Sequence, residues 1–319
     1  MNPTHNPKLI RFALHGGAGD LPADAGPQTE QRTALRDITE EAARLLRDGG
    51  SALDAVTLAV ERLEQCPLFN AGVGAVLNRD GQPELDAAIA RGEDRGCGAV
   101  AGVSRVASPI RLARAVMEQT PHVFFAGAGA ERIAEELGLA MVAPEHFIIP
   151  LRLEQLASAK ASGSIALDHV DDAPPRDPDA AFGTVGAVAR DGYGHLAAAT
   201  STGGLTNKLP GRIGDSAVFG AGTFADDASC AVSCTGTGES FIRALFGHAV
   251  HGQLLAGRSL AEACDAALAD VRRYQGVGGC IAISHDGALV TPFNAGVLYR
   301  AWFDEAGAVK VAIRRDDAS

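Results

Sequence analysis

The sequence lacks several features that would place it in a familiar class of protein. Its six cysteines, at 66, 97, 230, 234, 264 and 280, form no CxxC pair and are too sparse for a secreted disulfide scaffold. No run of apolar residues is long enough to cross a bilayer. The polar segment before Leu9 has no apolar core of a secretory signal. We therefore expect a cytoplasmic protein that is neither exported by that route nor embedded in a membrane.

An excess of positive charge is also missing. Lys and Arg number 28 against 39 Asp and Glu, which gives a formal net charge of −11. This balance excludes the basic surface that proteins need to bind the phosphate backbone, so we expect no nucleic-acid partner. The 319 residues are 46% apolar and 21% charged, as in a soluble globular protein large enough for a sizeable core and an enzymatic site.

Common catalytic and cofactor motifs are incomplete. No serine lies in a G-x-S-x-G nucleophile elbow. The segment 127–132 begins like a dinucleotide fingerprint but has Arg132 where the third glycine belongs, and Phe241 takes that place after 236–238. His248 and His251 form the one close histidine pair, and without a third ligand they are interpreted as solvated helix residues rather than metal ligands. We predict no cofactor for catalysis.

The pattern of elements predicts an α+β layered sandwich. An apolar strand over 9–14 is expected to end in a glycine turn at HGGAG, 15–19, and helices are predicted at 28–47, from Ser51 and from Ser108–Pro109. The second half predicts helices at 238–256 and 259–274 and three hairpins, which pair 184–190 with 195–202, 280–284 with 288–293, and 298–303 with 308–313. Hairpins require antiparallel neighbours, unlike a doubly wound nucleotide fold. The Ala-, Ser-, Asp- and Pro-rich segment 157–182 is predicted to be a mobile linker.

Three threonines beside glycines are the remaining candidates for chemistry. They are Thr184 after Gly183, Thr202 and Thr235. Each alone is typical of a β-branched strand residue next to a turn. A threonine made N-terminal by cleavage, however, would carry both a nucleophilic hydroxyl and an α-amine of near-neutral pKa to activate it.

Five motifs place these threonines in a recognisable context. They are HGGAG at 15–19, CPLFNAGVGAVLNRDG at 66–81, GTVGAVARD at 183–191, TSTGGLTNKLPGRIGDS at 200–216 and SCTGTGE at 233–239. In order and spacing they resemble the plant-type L-asparaginase and isoaspartyl peptidase family, most weakly across 155–182 and at the last residues. The resemblance implies the αββα four-layer sandwich of the N-terminal nucleophile hydrolases, formed by residues 1–319 as one domain.

The resemblance also implies that the chain cleaves itself before Thr184. The products are an α subunit of residues 1–183, which includes the linker, and a β subunit of residues 184–319. Gly183 has no Cβ and tolerates the strained backbone that attack by the Thr184 hydroxyl on the preceding carbonyl requires. The cleaved enzyme then hydrolyses β-aspartyl dipeptides and L-asparagine through a β-aspartyl-threonine ester.

Further roles follow from the same resemblance. Thr202 would orient the Thr184 hydroxyl, and the Thr235 hydroxyl and Gly236 N–H would form the oxyanion hole. The resemblance implies a substrate-binding set in which Arg212 clamps the α-carboxylate, Asp215 holds the α-ammonium, and Gly238 and Asn70 complete the contacts. From the sequence alone, Arg212 and Asp215 equally suit a surface ion pair, and Asn70 equally suits a turn before Ala71-Gly72.

The remaining expectations concern ions, assembly and substrate. In relatives the loop that matches Leu63, Glu64, Cys66, Phe69, Ala71 and Val73 binds sodium through backbone carbonyls, which the sequence neither supports nor refutes. The resemblance implies a homodimer of cleaved α–β protomers. Gly183, which matches the isoaspartyl-peptidase branch, favours small β-aspartyl substrates. Two alternatives stay open: a glycosylasparaginase-type amidase, and a non-catalytic glycine-rich module that binds phosphates or nucleotides through loops 127–132 and 235–238.

Overall fold

A computed structural model describes residues 5–22, 24–162, 183–303 and 307–318. Within these ranges the helices are α1 Thr29–Arg47, α2 Ala52–Glu64, α3 Pro109–Gln119, α4 Gly127–Glu136, α5 Pro150–Ser162, α6 Gly238–Ala244, α7 Phe246–Leu255 and α8 Leu260–Arg273. The strands are β1 Arg11–Gly19, β2 Leu85–Arg91, β3 Cys97–Val103, β4 Phe124–Ala126, β5 Val185–Arg190, β6 Leu196–Thr202, β7 Thr223–Ala225, β8 Cys230–Gly236, β9 Gly278–Ser284, β10 Leu289–Val290, β11 Val297–Phe303 and β12 Val309–Ala312.

The described strands form two sheets that pack face to face. The larger has the order β12-β11-β1-β5-β6-β2-β3-β4, and the smaller has the order β10-β9-β8-β7. Helices α1, α2 and α3 cover the outer face of the larger sheet, and α6, α7 and α8 cover the smaller. This is the predicted αββα sandwich, and the three predicted hairpins are present as β5–β6, β9–β10 and β11–β12.

Different side chains fill each layer. Branched aliphatic residues from α1 and α2, such as Leu35, Leu46 and Val60, are buried against the larger sheet. Small residues such as Ala13 and Ala198 lie between the sheets. Small residues in this middle layer let the sheets approach closely, which brings polar groups of β6 and β8 within hydrogen-bond distance.

The three N-terminal helices begin where the sequence predicts, and α1 also ends there, at Arg47. The side chain of Ser51 accepts a hydrogen bond from the Asp54 amide and caps α2, which satisfies one free N–H of its first turn. Ser108 precedes α3 as predicted, but its side chain makes no cap. It donates instead to the Glu64 carboxylate at 2.6 Å and joins α3 to the end of α2.

Several predicted boundaries are wrong. Strand β1 continues through HGGAG to Gly19 instead of turning, because these residues pair with β11 across a bulge between His15 and Gly17. Helix α5 runs to Ser162, so the predicted linker 157–182 is helical over 157–162, and its residues 163–182 lie outside the described residues. Leu245, with φ +45°, divides the helix predicted at 238–256 into α6 and α7.

Candidate active site

A cleft at one end of the paired sheets brings most of the predicted site residues together. Thr184 lies directly before β5, and its side chain is almost completely buried. The residues that line this Thr184 cleft are Ala18, Gly183, Thr184, Thr202, Gly204, Leu205, Arg212, Gly214, Asp215, Ser216, Gly236, Thr237 and Gly238. They include Ala18 and Thr202 from the larger sheet and Gly236 from the smaller one, so the site exists only when the two sheets are packed.

The Thr184 hydroxyl has a partner that the sequence did not predict. Its Oγ1 lies 3.3 Å from the Ser216 Oγ, and either oxygen can be the donor. Thr202, predicted to orient this hydroxyl, lines the cleft, but its Oγ1 accepts a hydrogen bond from the Gly204 amide at 2.9 Å. Ser216 follows Asp215 in a predicted motif, and this position in the motif was the only sequence signal for it.

Glycines pack the backbone tightly around the bond between residues 183 and 184. Gly17 has φ +116°, and a Cβ added there would lie 2.5 Å from the Gly183 amide nitrogen. A Cβ at Gly183 would lie 2.9 Å from the Thr235 Oγ1 and 3.1 Å from the Ala18 carbonyl oxygen. The second glycine of HGGAG is therefore needed because β1 touches the predicted cleavage site, a role that the expected turn did not reveal.

The predicted oxyanion residues end β8. The Thr235 Oγ1 accepts a hydrogen bond from the Ala18 amide at 3.1 Å and is completely buried. Its neighbour Gly236 has φ +143° and lines the cleft. Thr235 is thus held against β1 and next to Gly183, where its hydroxyl can face an oxygen that gains charge.

Arg212 lies in the cleft with a partner of its own. Its Nε and Nη2 each donate to a carboxylate oxygen of Glu239 at 2.8 Å. A Cβ added at Gly238, where α6 begins, would lie 2.8 Å from the Arg212 Nη2, so a side chain there would displace the guanidinium. The sequence predicted Arg212 but missed Glu239, which fixes the plane of its guanidinium group.

Asp215 is a buried carboxyl group. Burial raises the pKa of Asp215 to about 7, although the nearby Arg212 charge opposes this shift. Its Oδ2 is buried without a hydrogen-bond partner among the described residues. Such an oxygen is suited to a cationic group that enters the cleft, since an unpartnered buried acceptor costs free energy.

Asn70 supports the cleft from the first half of the chain. Its Nδ2 donates to the Gly204 carbonyl at 2.8 Å, and its Oδ1 accepts from the Val76 amide at 2.9 Å. These bonds fix the loop that follows Thr202. Asn70 itself is not among the residues that line the cleft.

The 63–73 loop, predicted to bind sodium, is tightly folded. The Val73 amide donates to the Glu64 carbonyl at 2.7 Å, and the Cys66 amide donates to that of Leu63 at 3.2 Å. The Glu64 carboxylate accepts bonds from the Ser108 and Ser201 hydroxyls and the Ile110 amide, and burial raises its pKa to about 7. Because the Glu64 carboxylate is occupied by these hydrogen bonds, the atoms of the loop that could coordinate an ion are neutral backbone carbonyl oxygens. Such oxygens suit a hard monovalent cation.

The remaining sequence expectations concerned the histidine pair, metal binding and membrane spans. His251 is buried and hydrogen-bonded to Ser229 at 2.7 Å, so its interpretation as a solvated residue was wrong. Among the described residues, no group of three or more His, Cys, Asp or Glu side chains could hold a metal ion. In the same residues, no helix has both the length and the apolar character of a membrane span.

Comparison with known proteins gives consistent matches. The model of a family described as asparaginase matches residues 8–313. An isoaspartyl peptidase from Salmonella typhimurium is 52% identical over 297 residues, which cover 91% of this chain and 94% of that protein. A probable isoaspartyl peptidase/L-asparaginase 2 from Arabidopsis thaliana is 40% identical over 322 residues, 95% of this chain and 98% of the relative. A human isoaspartyl peptidase/L-asparaginase is 40% identical over 281 residues, 88% of each chain.

Proposed function

The chain belongs to the asparaginase family, and from this premise we propose that it is an isoaspartyl peptidase and L-asparaginase that uses Thr184 as its nucleophile. The observation that carries the proposal is the Thr184 cleft. It places a hydroxyl, a guanidinium and a carboxyl group in one site. An amino acid carries an ammonium and a carboxylate on one carbon, so opposite charges beside a nucleophile suit an aspartyl substrate.

Maturation precedes catalysis in this proposal. The Thr184 Oγ1 attacks the Gly183 carbonyl carbon, the C–N bond breaks and the hydroxyl proton passes to the nitrogen, which gives an ester and a free Thr184 α-amine. Water then hydrolyses the ester, which restores the Thr184 hydroxyl and leaves a carboxylate on Gly183. The products are 1–183 and 184–319, of 183 and 136 residues. The tight packing of Gly17 and Thr235 around Gly183 supports this step, because it holds the carbonyl beside the attacking oxygen.

Hydrolysis uses the same oxygen. The α-amine takes the Thr184 hydroxyl proton while Oγ1 attacks the side-chain amide carbon of the substrate. The Thr235 hydroxyl and Gly236 N–H donate to the oxygen that gains charge, and fixed donors of this kind are each worth about 3 kcal/mol. The amine leaves with a proton, and water hydrolyses the β-aspartyl ester to L-aspartate and free Thr184.

Substrate binding uses the charged groups. Arg212, fixed by Glu239, holds the α-carboxylate, and Asp215 receives the α-ammonium on its unpartnered oxygen, with Gly238 beside both. Thr202 and Asn70 shape the loop over the nucleophile. We retain as proposals a homodimer of cleaved protomers, a cytoplasmic location and sodium in the 63–73 loop, where the ion would stabilise the loop and take no part in bond breaking.

Turnover of three substrates tests the function. Purified protein is assayed with a β-aspartyl dipeptide, L-asparagine and a glycosylated asparagine. The Thr184→Ala variant is assayed in parallel. Thr120→Ala is the control, because it removes a threonine hydroxyl that lies outside the cleft. We expect the dipeptide to be hydrolysed fastest and Thr184→Ala to be inactive. Equal or faster turnover of the glycosylated compound, or an active Thr184→Ala enzyme, would contradict the proposal.

A further inference from the structure

Beneath the Thr184 cleft, a chain of buried polar side chains crosses from one sheet to the other. The His15 Nε2 lies 2.9 Å from the Ser233 Oγ, which lies 2.7 Å from the Thr200 Oγ1. The Thr223 Oγ1 donates to Thr200 at 2.6 Å and lies 3.0 Å from the Ser216 carbonyl oxygen, so its one proton is shared between two acceptors. We call His15, Ser233, Thr200 and Thr223 the hydroxyl chain.

The hydroxyl chain is shielded from water and carries no charge. Each of its members is at most 1% exposed. Burial lowers the pKa of His15 to about 3, so the imidazole stays neutral. A Cβ at Gly186 would lie 2.0 Å from the Ser233 Oγ and 2.6 Å from the His15 Nε2. The absence of a side chain at Gly186 therefore lets Ser233 lie between His15 and Thr200. Hydrogen bonds join His15 to Ser233, Ser233 to Thr200 and Thr223 to Thr200, and each broken bond would leave a buried unsatisfied group, so these side chains hold one another in place.

The hydroxyl chain ends at the residue that contacts the nucleophile. Thr223 holds the carbonyl of Ser216, and the Ser216 Oγ lies 3.3 Å from the Thr184 Oγ1. Thr202 and Thr237 also line the cleft, and the Thr202 Oγ1 accepts a hydrogen bond from the Gly204 amide. Ser216 is therefore a cleft residue whose hydroxyl lies within hydrogen-bond distance of the reacting oxygen.

We propose that Ser216 is a further catalytic residue and that the hydroxyl chain, from His15 to Thr223, positions it. Ser216 donates its hydroxyl proton to the Thr184 Oγ1 as a hydrogen bond and keeps that proton throughout. The proton of Thr184 passes to the α-amine, and the new bond forms between Oγ1 and the carbonyl carbon. A fixed donor holds a lone pair of Oγ1 on the line of attack and stabilises the negative charge that gathers there.

The inference rests on the proposed nucleophile, Thr184, and its test separates the two. The test uses three variants. Ser216→Ala removes the donor, Thr200→Val removes a hydroxyl without changing the shape of the side chain, and Thr200→Ser keeps that hydroxyl. Thr39→Val is the matched control, because it removes an equally buried threonine hydroxyl whose bond to the Leu35 carbonyl lies in α1. Cleavage is followed by intact mass, kcat and KM are measured per cleaved molecule, and melting temperature is recorded for each variant.

We expect Ser216→Ala to slow cleavage and to lower kcat about 10- to 100-fold, the effect of losing a hydrogen bond to a group that gains charge. KM should change less than about threefold, because the Ser216 hydroxyl touches the nucleophile and not the substrate charges. Thr200→Val should lower kcat about fivefold or more, while Thr200→Ser restores at least half of that loss. Thr39→Val should lower the melting temperature without changing kcat.

Contrary outcomes are distinct. If Ser216→Ala is cleaved and turns over like wild type, or if Thr200→Ser is as slow as Thr200→Val, the inference is wrong while the role of Thr184 stands. If Thr39→Val lowers kcat as much as Thr200→Val does, the loss reflects general destabilisation and the inference also fails. If Thr184→Ala remains active, the proposed function fails first.

Discussion

Replacement of Arg212 by alanine separates substrate binding from maturation. Arg212 makes a two-point pair with Glu239, whose side chain is 51% exposed. Exposed pairs contribute at most about 1 kcal/mol, so the fold should tolerate the change. A hydrogen bond to a charged group contributes about 1.5–3 kcal/mol, and losing the clamp on the α-carboxylate should lower kcat/KM roughly 10- to 150-fold.

The effect of Arg212→Ala should depend on pH. The Arg212 charge lowers the pKa of Asp215, which burial holds at about 7, so its removal raises that pKa further. Asp215 must be ionised to bind the substrate ammonium, and the acidic fall of kcat/KM should therefore move to higher pH in the variant. Profiles of kcat/KM from ammonia or aspartate release measure both effects, and intact mass measures cleavage.

The matched control for Arg212→Ala is Arg62→Ala. Arg62 makes the same two-point contact with Glu41 at 2.9 and 3.0 Å, outside the cleft, and its loss should leave kinetics unchanged. The Gly183 carbonyl needs no carboxylate clamp, so Arg212→Ala should still be cleaved. An uncleaved Arg212→Ala chain, or one with an unchanged kcat/KM, would refute the assigned role.

Three further predictions follow from burial and close packing. Because burial raises the pKa of Asp215 to about 7, calorimetry should show that L-aspartate binds more weakly as the pH falls below about 7. An affinity that does not change between pH 8 and pH 6 would contradict this. Gly183→Ala should slow cleavage on a gel time course, because its Cβ would lie 2.9 Å from the Thr235 Oγ1; a wild-type rate would show that the space is not needed. Glu64→Ala should lower the free energy of unfolding in urea by about 3 kcal/mol, since three donors lose the two carboxylate oxygens that accept from them, and Glu64→Gln should lower it by less than half of that. The folded pKa of Glu64, about 7, exceeds its ordinary 4.5, so wild type should lose stability relative to Glu64→Gln as pH rises from about 4.5 to about 7; a pH-independent difference would oppose it.

The parts of the fold that the sequence predicted are set by local signals. Helix α1 follows from its apolar spacing, and the start of α2 follows from the cap at Ser51. The hairpins follow from short glycine turns between apolar strands. The continuation of β1 through HGGAG could not be predicted in this way, because partners far along the chain, in β11, hold those glycines extended.

The site shows the same division. The family motifs predicted Thr184, Arg212 and Asp215, and the structure brings them into one cleft. Ser216 and Glu239 were missed as partners of those groups, since both contacts depend on how loops fold over the sheet ends. Spacing in the sequence carries no information about such side-chain contacts.

The growth of activity during self-cleavage tests the central claim most directly. Freshly synthesised chain is sampled over time; intact mass gives the fraction present as residues 184–319, and β-aspartyl dipeptide hydrolysis is measured on the same samples. We expect activity to rise in proportion to the 136-residue fragment with Thr184 at its N-terminus, and to be absent at zero cleavage. Full activity in an unbroken 319-residue chain would contradict the account.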